Sequence, residues 1–236
     1  MLSVHSFFPS ASILVVDEPL FLSKEINTEV DRLWQAEQQS RGKTLFNGNI
    51  LSAIKISPEQ ILGRILEYRH LIAQRACPAL FEPLQIRSVA VSGLLECADG
   101  LVFGKRANSV TQDAGLWELV PSGGIDASKI TQGTIDCRAQ LLTELQEETG
   151  IHRDLVSNVL PFCLIEDNVS HVIEIGISMT SMLSAEMILR AHREKATEEY
   201  DELEIIPLEK IEVFIRDKAL SLVDTSIMLI RQFNKR

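Results

Sequence analysis

The stretch from Trp117 to Ile151 constrains this chain more than any other. Trp117-Glu118-Leu119-Val120 reads as a strand, and Pro121-Ser122-Gly123-Gly124 stops it in a glycine turn. A helix is expected from about Thr134 to Thr149, with Thr134 at its cap and Asp136 against the positive end of its dipole. Gly150 closes it as a left-handed residue. Leu141, Leu142 and Leu145 lie to one side and hold the helix against a core. Glu144, Glu147 and Glu148 stand at i, i+3 and i+4, and so share the other face.

Three carboxylates on one helical face repel each other unless something positive sits among them. A hard divalent cation with oxygen ligands answers that need. E-x-x-E-E is also common on solvated helices, so the context decides. A strand, a Gly-Gly turn, a helix with this trio and a closing glycine together favour function. Glycines let a backbone carbonyl approach a metal or a phosphate closely.

These residues resemble the Nudix box, G-x5-E-x7-R-E-U-x-E-E-x-G-U, where U is aliphatic. Glu144, Leu145, Glu147, Glu148, Gly150 and Ile151 match its second half, and Gly124 matches its opening glycine. Two departures stand out. The turn carries five extra residues, so the first glutamate of the box falls near Thr134 or Ile135. The arginine before Glu144 is Thr143. The resemblance implies an α/β/α sandwich with a mixed sheet over about residues 86–236. It implies Mg²⁺, with Mn²⁺ as the alternative ion. By position, Glu144 and Glu148 are the principal metal ligands, Glu147 is a further ligand or orients water, and the Gly123–Gly124 turn offers a carbonyl. All three glutamates form the expected catalytic set. Lys105 and Arg106 are expected to face substrate phosphates, and Trp117 has a claim to the site because it precedes the glycine turn. Glu166, Glu174, Glu198 and Glu199 are candidates for a general base by location, with Glu199 favoured.

Elsewhere the patterns are ordinary. Ser12–Val16 and Ile50–Ile56 read as strands, and Lys24 to Gln38 has helical spacing that a turn at Ser40-Arg41-Gly42 ends. Asn47-Gly48 suits a hairpin turn between strands. Ser57-Pro58-Glu59 reads as a helix start, with Pro58 at the first position. Cys77-Pro78 to Pro83 is a connector and the expected boundary. This gives an α+β unit over 1–84, shaping the substrate pocket or a dimer interface, and a catalytic domain over 85–236. Arg87–Glu96 and Leu101–Arg106 are strands joined through Asp99-Gly100, a strong hairpin signal. Further strands are expected at Phe162–Ile165 and Val172–Met179, and helices at Ala185–Arg193 and Ser221–Phe233.

Composition narrows the partners. The net charge of −10 over 236 residues argues against nucleic acid and anionic membranes, since phosphates are repelled before contact. It leaves an anionic small molecule open, because bound metal reverses the local field. Cys77, Cys97, Cys137 and Cys163 form no zinc or disulfide pattern and suit buried thiols in a reducing compartment. The N-terminus lacks a basic leader, and no apolar run approaches the ~20 residues of a membrane span. A cytoplasmic location is expected.

The expected reaction is hydrolysis of the pyrophosphate bond in a nucleoside diphosphate linked to another group. Trp34, Leu45-Phe46-Asn47-Gly48 and Glu67-Tyr68-Arg69 are similar to the leading segment of Nudix proteins that hydrolyse UDP-glucose and UDP-galactose. ADP-ribose is the alternative substrate. A Nudix-fold binding or regulatory module is the alternative role, favoured by Thr143 and the missing first glutamate.

Overall fold

A computed structural model describes residues 1–40, 45–110, 112–125, 127–195 and 197–235. In chain order the strands and helices are β1 (Leu2–Ser6), β2 (Ser12–Val15), α1 (Lys24–Ser40), β3 (Asn49–Ile56), β4 (Gln60–Glu67), α2 (Tyr68–Ala76), α3 (Phe81–Leu84), β5 (Ser88–Cys97) and β6 (Gly100–Arg106). They continue as β7 (Trp117–Leu119), β8 (Ser122–Gly124), β9 (Thr134–Ile135), α4 (Cys137–Thr149), β10 (Val156–Asp167), β11 (Val172–Ser181), α5 (Ala185–Lys195), β12 (Tyr200–Ile206), α6 (Ile211–Asp217) and α7 (Asp224–Phe233).

One mixed sheet organises them. Its main path runs β1-β10-β11-β5-β3-β4-β2-β9, and β6, β7, β8 and β12 branch from β5 and β6. β5 is the hub. It pairs in parallel with β11 from Ser88↔Val172 to Glu96↔Thr180. Along its other edge it meets β3, β8 and β6 in turn. Alternation along these strands sorts side chains to two faces. Val89, Val91 and Leu95 join Val102, Leu164 and the α4 residues Leu141 and Leu145 in one buried cluster, which also holds Ile188 of α5. Leu94, Phe103, Cys163 and Ile165 join Phe214 of α6 and Leu229 of α7 in another. Helices therefore cover both faces, giving the α/β sandwich with a mixed sheet.

The first 84 residues enter this sheet at three seams. β1 pairs antiparallel with β10, β2 with β9, and β3 touches β5 at Ser52↔Ser88. Phe7, Ile13, Leu51 and Ile61 lie in the same cluster as Leu141. The segment also keeps a cluster of its own, in which Val30 of α1, Leu71 of α2 and Leu84 of α3 meet. Residue 85, next to the expected boundary, has a left-handed backbone with φ 46°.

Several local expectations change. No helix starts at Ser57. Ser57 and Gln60 exchange backbone hydrogen bonds of 2.8 and 3.3 Å, so Ser57-Pro58-Glu59 is the β3–β4 hairpin turn. The signals coincide because proline suits the second position of a turn as well as the first of a helix. Asn47-Gly48 is not a hairpin turn. Asn47 Oδ1 accepts from Arg69 N at 2.9 Å, and Gly48 O accepts from Tyr68 N at 2.8 Å, which secures the start of α2 from a distance. Thr134 does not cap the box helix but pairs with Leu14 in β9. The cap is Asp136, whose side chain accepts from Arg138 N and Ala139 N. The turn expected at Ser40–Gly42 lies partly outside the described residues. Cys97, Cys137 and Cys163 are buried free thiols, and Cys77 is half-buried. No helix among the described residues is long and apolar enough to cross a membrane.

Candidate active site

An open cleft of about 1150 Å³ runs over β5 and β8, past α4, to the loops before α7. Its acidic end is assembled from four elements. Glu118 comes from β7, Glu144 and Glu148 from α4, and Glu199 from the residue before β12; all four line the cleft. Glu144 and Glu148 are one turn apart on a helix capped by Asp136 and closed by Gly150, φ 73°. Leu141 and Leu145, beside Glu148 around the helix, are fully buried, which anchors the helix against the core.

Close backbone approach seats Glu144. A Cβ placed on Gly123 would overlap the Glu144 carboxyl carbon, so a larger residue there would push that side chain from its present seat. Gln140 Nε2 donates to Glu144 Oε1 at 2.6 Å. Ser122 N donates to Glu148 Oε2 at 3.1 Å. Gly124 lies in β8 opposite Ala90 and lines the cleft, and a Cβ there would meet nothing. Of the two glycines, Gly123 is the one packed against Glu144.

Arg106 and Tyr200 organise the other wall. Arg106 Nη1 donates to Glu118, Nη2 to Glu199 at 2.8 Å, and Nε to Gln112 O at 3.0 Å. Tyr200 OH donates to Glu118 Oε1 at 2.8 Å. The tyrosine ring lies over Gly104, where a Cβ would meet it at 2.5 Å. Arg106 was expected to face phosphates; all three of its nitrogens are instead engaged by the protein. Lys105 pairs within the sheet with Trp117 and Glu202 and is not among the cleft-lining residues described. Trp117 is buried in the apolar layer, edge-on to Phe214 and with Lys218 Nζ 5.2 Å from its ring centre, so it packs the core instead of facing the cleft. Glu147 is exposed and does not line the cleft. At about 100° per residue, Glu148 returns closer to the bearing of Glu144 than Glu147 does. Thr143 Oγ1 turns back to Ala139 O at 3.0 Å. Ile135, near the place of the first box glutamate, is buried against the core.

Electrostatically this end is under strain. Burial pushes Glu118 up to about 7 even with Arg106 beside it. Burial pushes Glu144 up to about 7, with Glu147 and Glu199 adding to the rise. Burial, then the charges of Glu118 and Glu144, hold Glu148 well above the ordinary carboxylate range. Arg106 is desolvated too, but Glu118 and Glu199 keep it firmly charged. Glu118 and Glu199 pair with Arg106, whereas Glu144 and Glu148 form no ion pair among the described residues. Nearby, Glu174 of β11 is also raised by burial, but it accepts from Ser92 Oγ at 2.7 Å and Thr225 Oγ1 at 2.9 Å. Glu166 is a structural residue that pairs with Arg87 at 2.7 Å and His5 at 3.0 Å. Glu198 is exposed.

Among the described residues, no three of His, Cys, Asp and Glu are gathered as a ready metal cage. The donors present still suit a hard cation. All are oxygens, they carry excess negative charge, and Mg²⁺ is commonly held by one or two carboxylates, waters and substrate phosphates.

No protein-family model and no curated protein matches the sequence. Solved structures do match. The structure of DR0079 from Deinococcus radiodurans aligns with 12% identity and a TM-score of 0.50, over 78% of this chain and 99% of that one. A NUDIX hydrolase from Nitrosomonas europaea aligns with 15% identity and a TM-score of 0.41, over 62% and 88%. A bifunctional NMN adenylyltransferase/ADP ribose pyrophosphatase from Francisella tularensis, complexed with AMP and Mn ion, aligns with 15% identity and a TM-score of 0.44, over 71% and 48%. At 12% identity and a TM-score of 0.50, the likeness to the Deinococcus radiodurans structure is one of fold.

Proposed function

We propose that this chain is a Nudix-type, Mg²⁺-dependent hydrolase of the pyrophosphate bond in a nucleoside diphosphate linked to another group. The observation that carries the reading is the acidic end of the cleft. Glu148 is buried and Glu144 half-buried there, neither forms an ion pair among the described residues, and Gly123 packs against Glu144. A protein that needed only stability would neutralise or expose such groups.

Glu144 and Glu148 would hold the ion; Mn²⁺ could replace Mg²⁺. When bound, the ion offsets the charge of the diphosphate and makes water more acidic. The remaining work falls to the chain. Arg106 clamps Glu118 and Glu199 to the wall, so neither collapses onto the α4 carboxylates. Tyr200 and Arg106 both bond Glu118 at Oε1, which leaves Oε2 open to a proton among the described residues. With a pKa of about 7, Glu118 is matched to accept a proton from the attacking water near neutral pH. Phosphoryl transfer asks mainly for such positioning and charge stabilisation.

The N-terminal resemblance favours a UDP-sugar, cleaved to UMP and a sugar 1-phosphate. Its residues converge in space. Asn47 donates to Glu67 at 2.7 Å, Arg69 pairs with Glu67 and Asp31, and Trp34 meets Tyr68 edge-on at 6.3 Å. Tyr68 lines the cleft. The second reading is a nucleotide-binding regulatory module without turnover. The apolar Ile135 and the inward-turned Thr143 favour it, since two positions of the box carry no charge.

The test is release of nucleoside monophosphate with and without Mg²⁺ from UDP-glucose, UDP-galactose, ADP-ribose, NADH and diadenosine polyphosphates. Metal-dependent release from the UDP-sugars is expected. Release from another member keeps the hydrolase and replaces its substrate. Binding of these compounds with no release from any selects the regulatory module.

A further inference from the structure

Two side-chain cations line the cleft among the described residues, and they are used differently. Arg106 gives all three nitrogens to protein acceptors at the acidic end. Arg75, at the C-terminal end of α2, gives only Nε, to Ser170 O at 3.2 Å. Its Nη1 and Nη2 groups have no protein acceptor among the described residues. Tyr68, Asp113 and Asp167 favour its charge, yet neither aspartate forms an ion pair with it among the described residues. Burial acts the other way and lowers its pKa, so the protein leaves this guanidinium under-compensated.

The fork lies along the cleft from the acidic end. Ser170 precedes β11, whose residue Val172 pairs with Ser88 at the start of β5. The acidic end is level with Ser92, which pairs with Ser122. Ser88 to Ser92 spans about 13 Å of strand. That exceeds a diphosphate and matches the reach of a nucleotide extended by a further group. Ile50, Tyr68 and Leu71 line the cleft near the same helix as Arg75. The acidic end thus takes the scissile diphosphate, and a half-apolar shelf with one open fork lies beyond it. An arginine fork matches two-oxygen anions geometrically.

We propose that Arg75 determines specificity by binding an anionic group, phosphate or carboxylate, on the part of the substrate beyond the scissile diphosphate. This rests on the hydrolase reading of the same cleft. Its consequence is a preference between substrates that share a diphosphate and differ in distal charge.

Matched pairs test it: UDP-glucose against UDP-glucuronate for a carboxylate, and NADH against NADPH for a phosphate. The expected wild-type preference is for the more anionic member of at least one pair. Arg75→Gln is expected to raise KM for that member about tenfold to a hundredfold, with kcat and the neutral member unchanged. Arg75→Lys keeps the charge, loses the fork, and should recover part of the preference. The responding pair identifies the anion. Dissociation constants for the same pairs are measured by calorimetry with Mg²⁺ in a Glu148→Gln background. If the wild type turns over no substrate, an Arg75→Gln effect on these Kd values overturns the hydrolase reading and leaves the Arg75 site standing. Equal effects on both members of each pair, or none, overturn the Arg75 proposal whatever the activity.

Discussion

Glu166 and Glu148 are both drawn out of water, yet only Glu166 is given a counter-charge. Glu166 lies in β10, paired with His5 of β1 and with Arg87 just before β5. Glu148 receives one backbone N–H from Ser122 and faces the neighbouring charges of Glu118 and Glu144. The first arrangement stitches strands together and asks for nothing more. The second is incomplete without something from outside the chain. An acid paired away from the cleft, like Glu166, serves the fold; one left unpaired beside the cleft, like Glu148, is where a ligand is proposed.

The largest expected effect separates the two in activity. Glu148→Gln should cut metal-dependent turnover at least about 100-fold while the fold survives, read as kcat beside an unchanged circular dichroism spectrum. Undiminished turnover would remove the proposed site. Next comes stability against pH in the metal-free protein. Glu144 ionises at about 7 in the fold against an ordinary value of 4.5. A raised folded pKa gives stability that is fully present below the unfolded value and lost as pH rises through the folded one. Between pH 4.5 and 7, wild type should lose about 3 kcal/mol that Glu144→Gln does not lose, measured by urea unfolding in EDTA. Parallel slopes in the two proteins would mean that Glu144 is compensated after all. The smallest effect lies at the stitched acid. Glu166→Gln should cost about 2 kcal/mol in unfolding free energy and leave kcat unchanged. A loss of turnover there would erase the contrast.

The box helix was legible because its signals are local. Spacing places Glu144 and Glu148 on one face, the leucines beside them anchor the helix to the core, and Gly150 ends the run. Glu118 was not legible. A lone acid in Trp-Glu-Leu-Val announces nothing, and its role arises when β6 and β7 pair Gly104 with Glu118 and β12 sets Tyr200 against Arg106. Those are contacts over 12 to 82 residues of sequence. Arg106 was noticed for its charge, but charge does not disclose which partner will take it. Ser57-Pro58-Glu59 misled for a different reason, since the same dipeptide serves a turn and a helix start. Only the alternating burial of Gln60–Glu67 behind it tips the balance.

The pairing of Leu2 with Asp167 also sets a schedule for the newborn chain. At roughly 5–20 residues per second, about 10–30 s separate the synthesis of β1 from that of its partner strand β10. For that interval β1 has no edge to join, and the parallel β5–β11 hub is equally unfinished. Closing such distant pairings carries an entropic cost before it returns any contact. The leading strand therefore completes the sheet late, and the cleft wall that includes Met1 and Leu2 takes shape only after β10 has arrived.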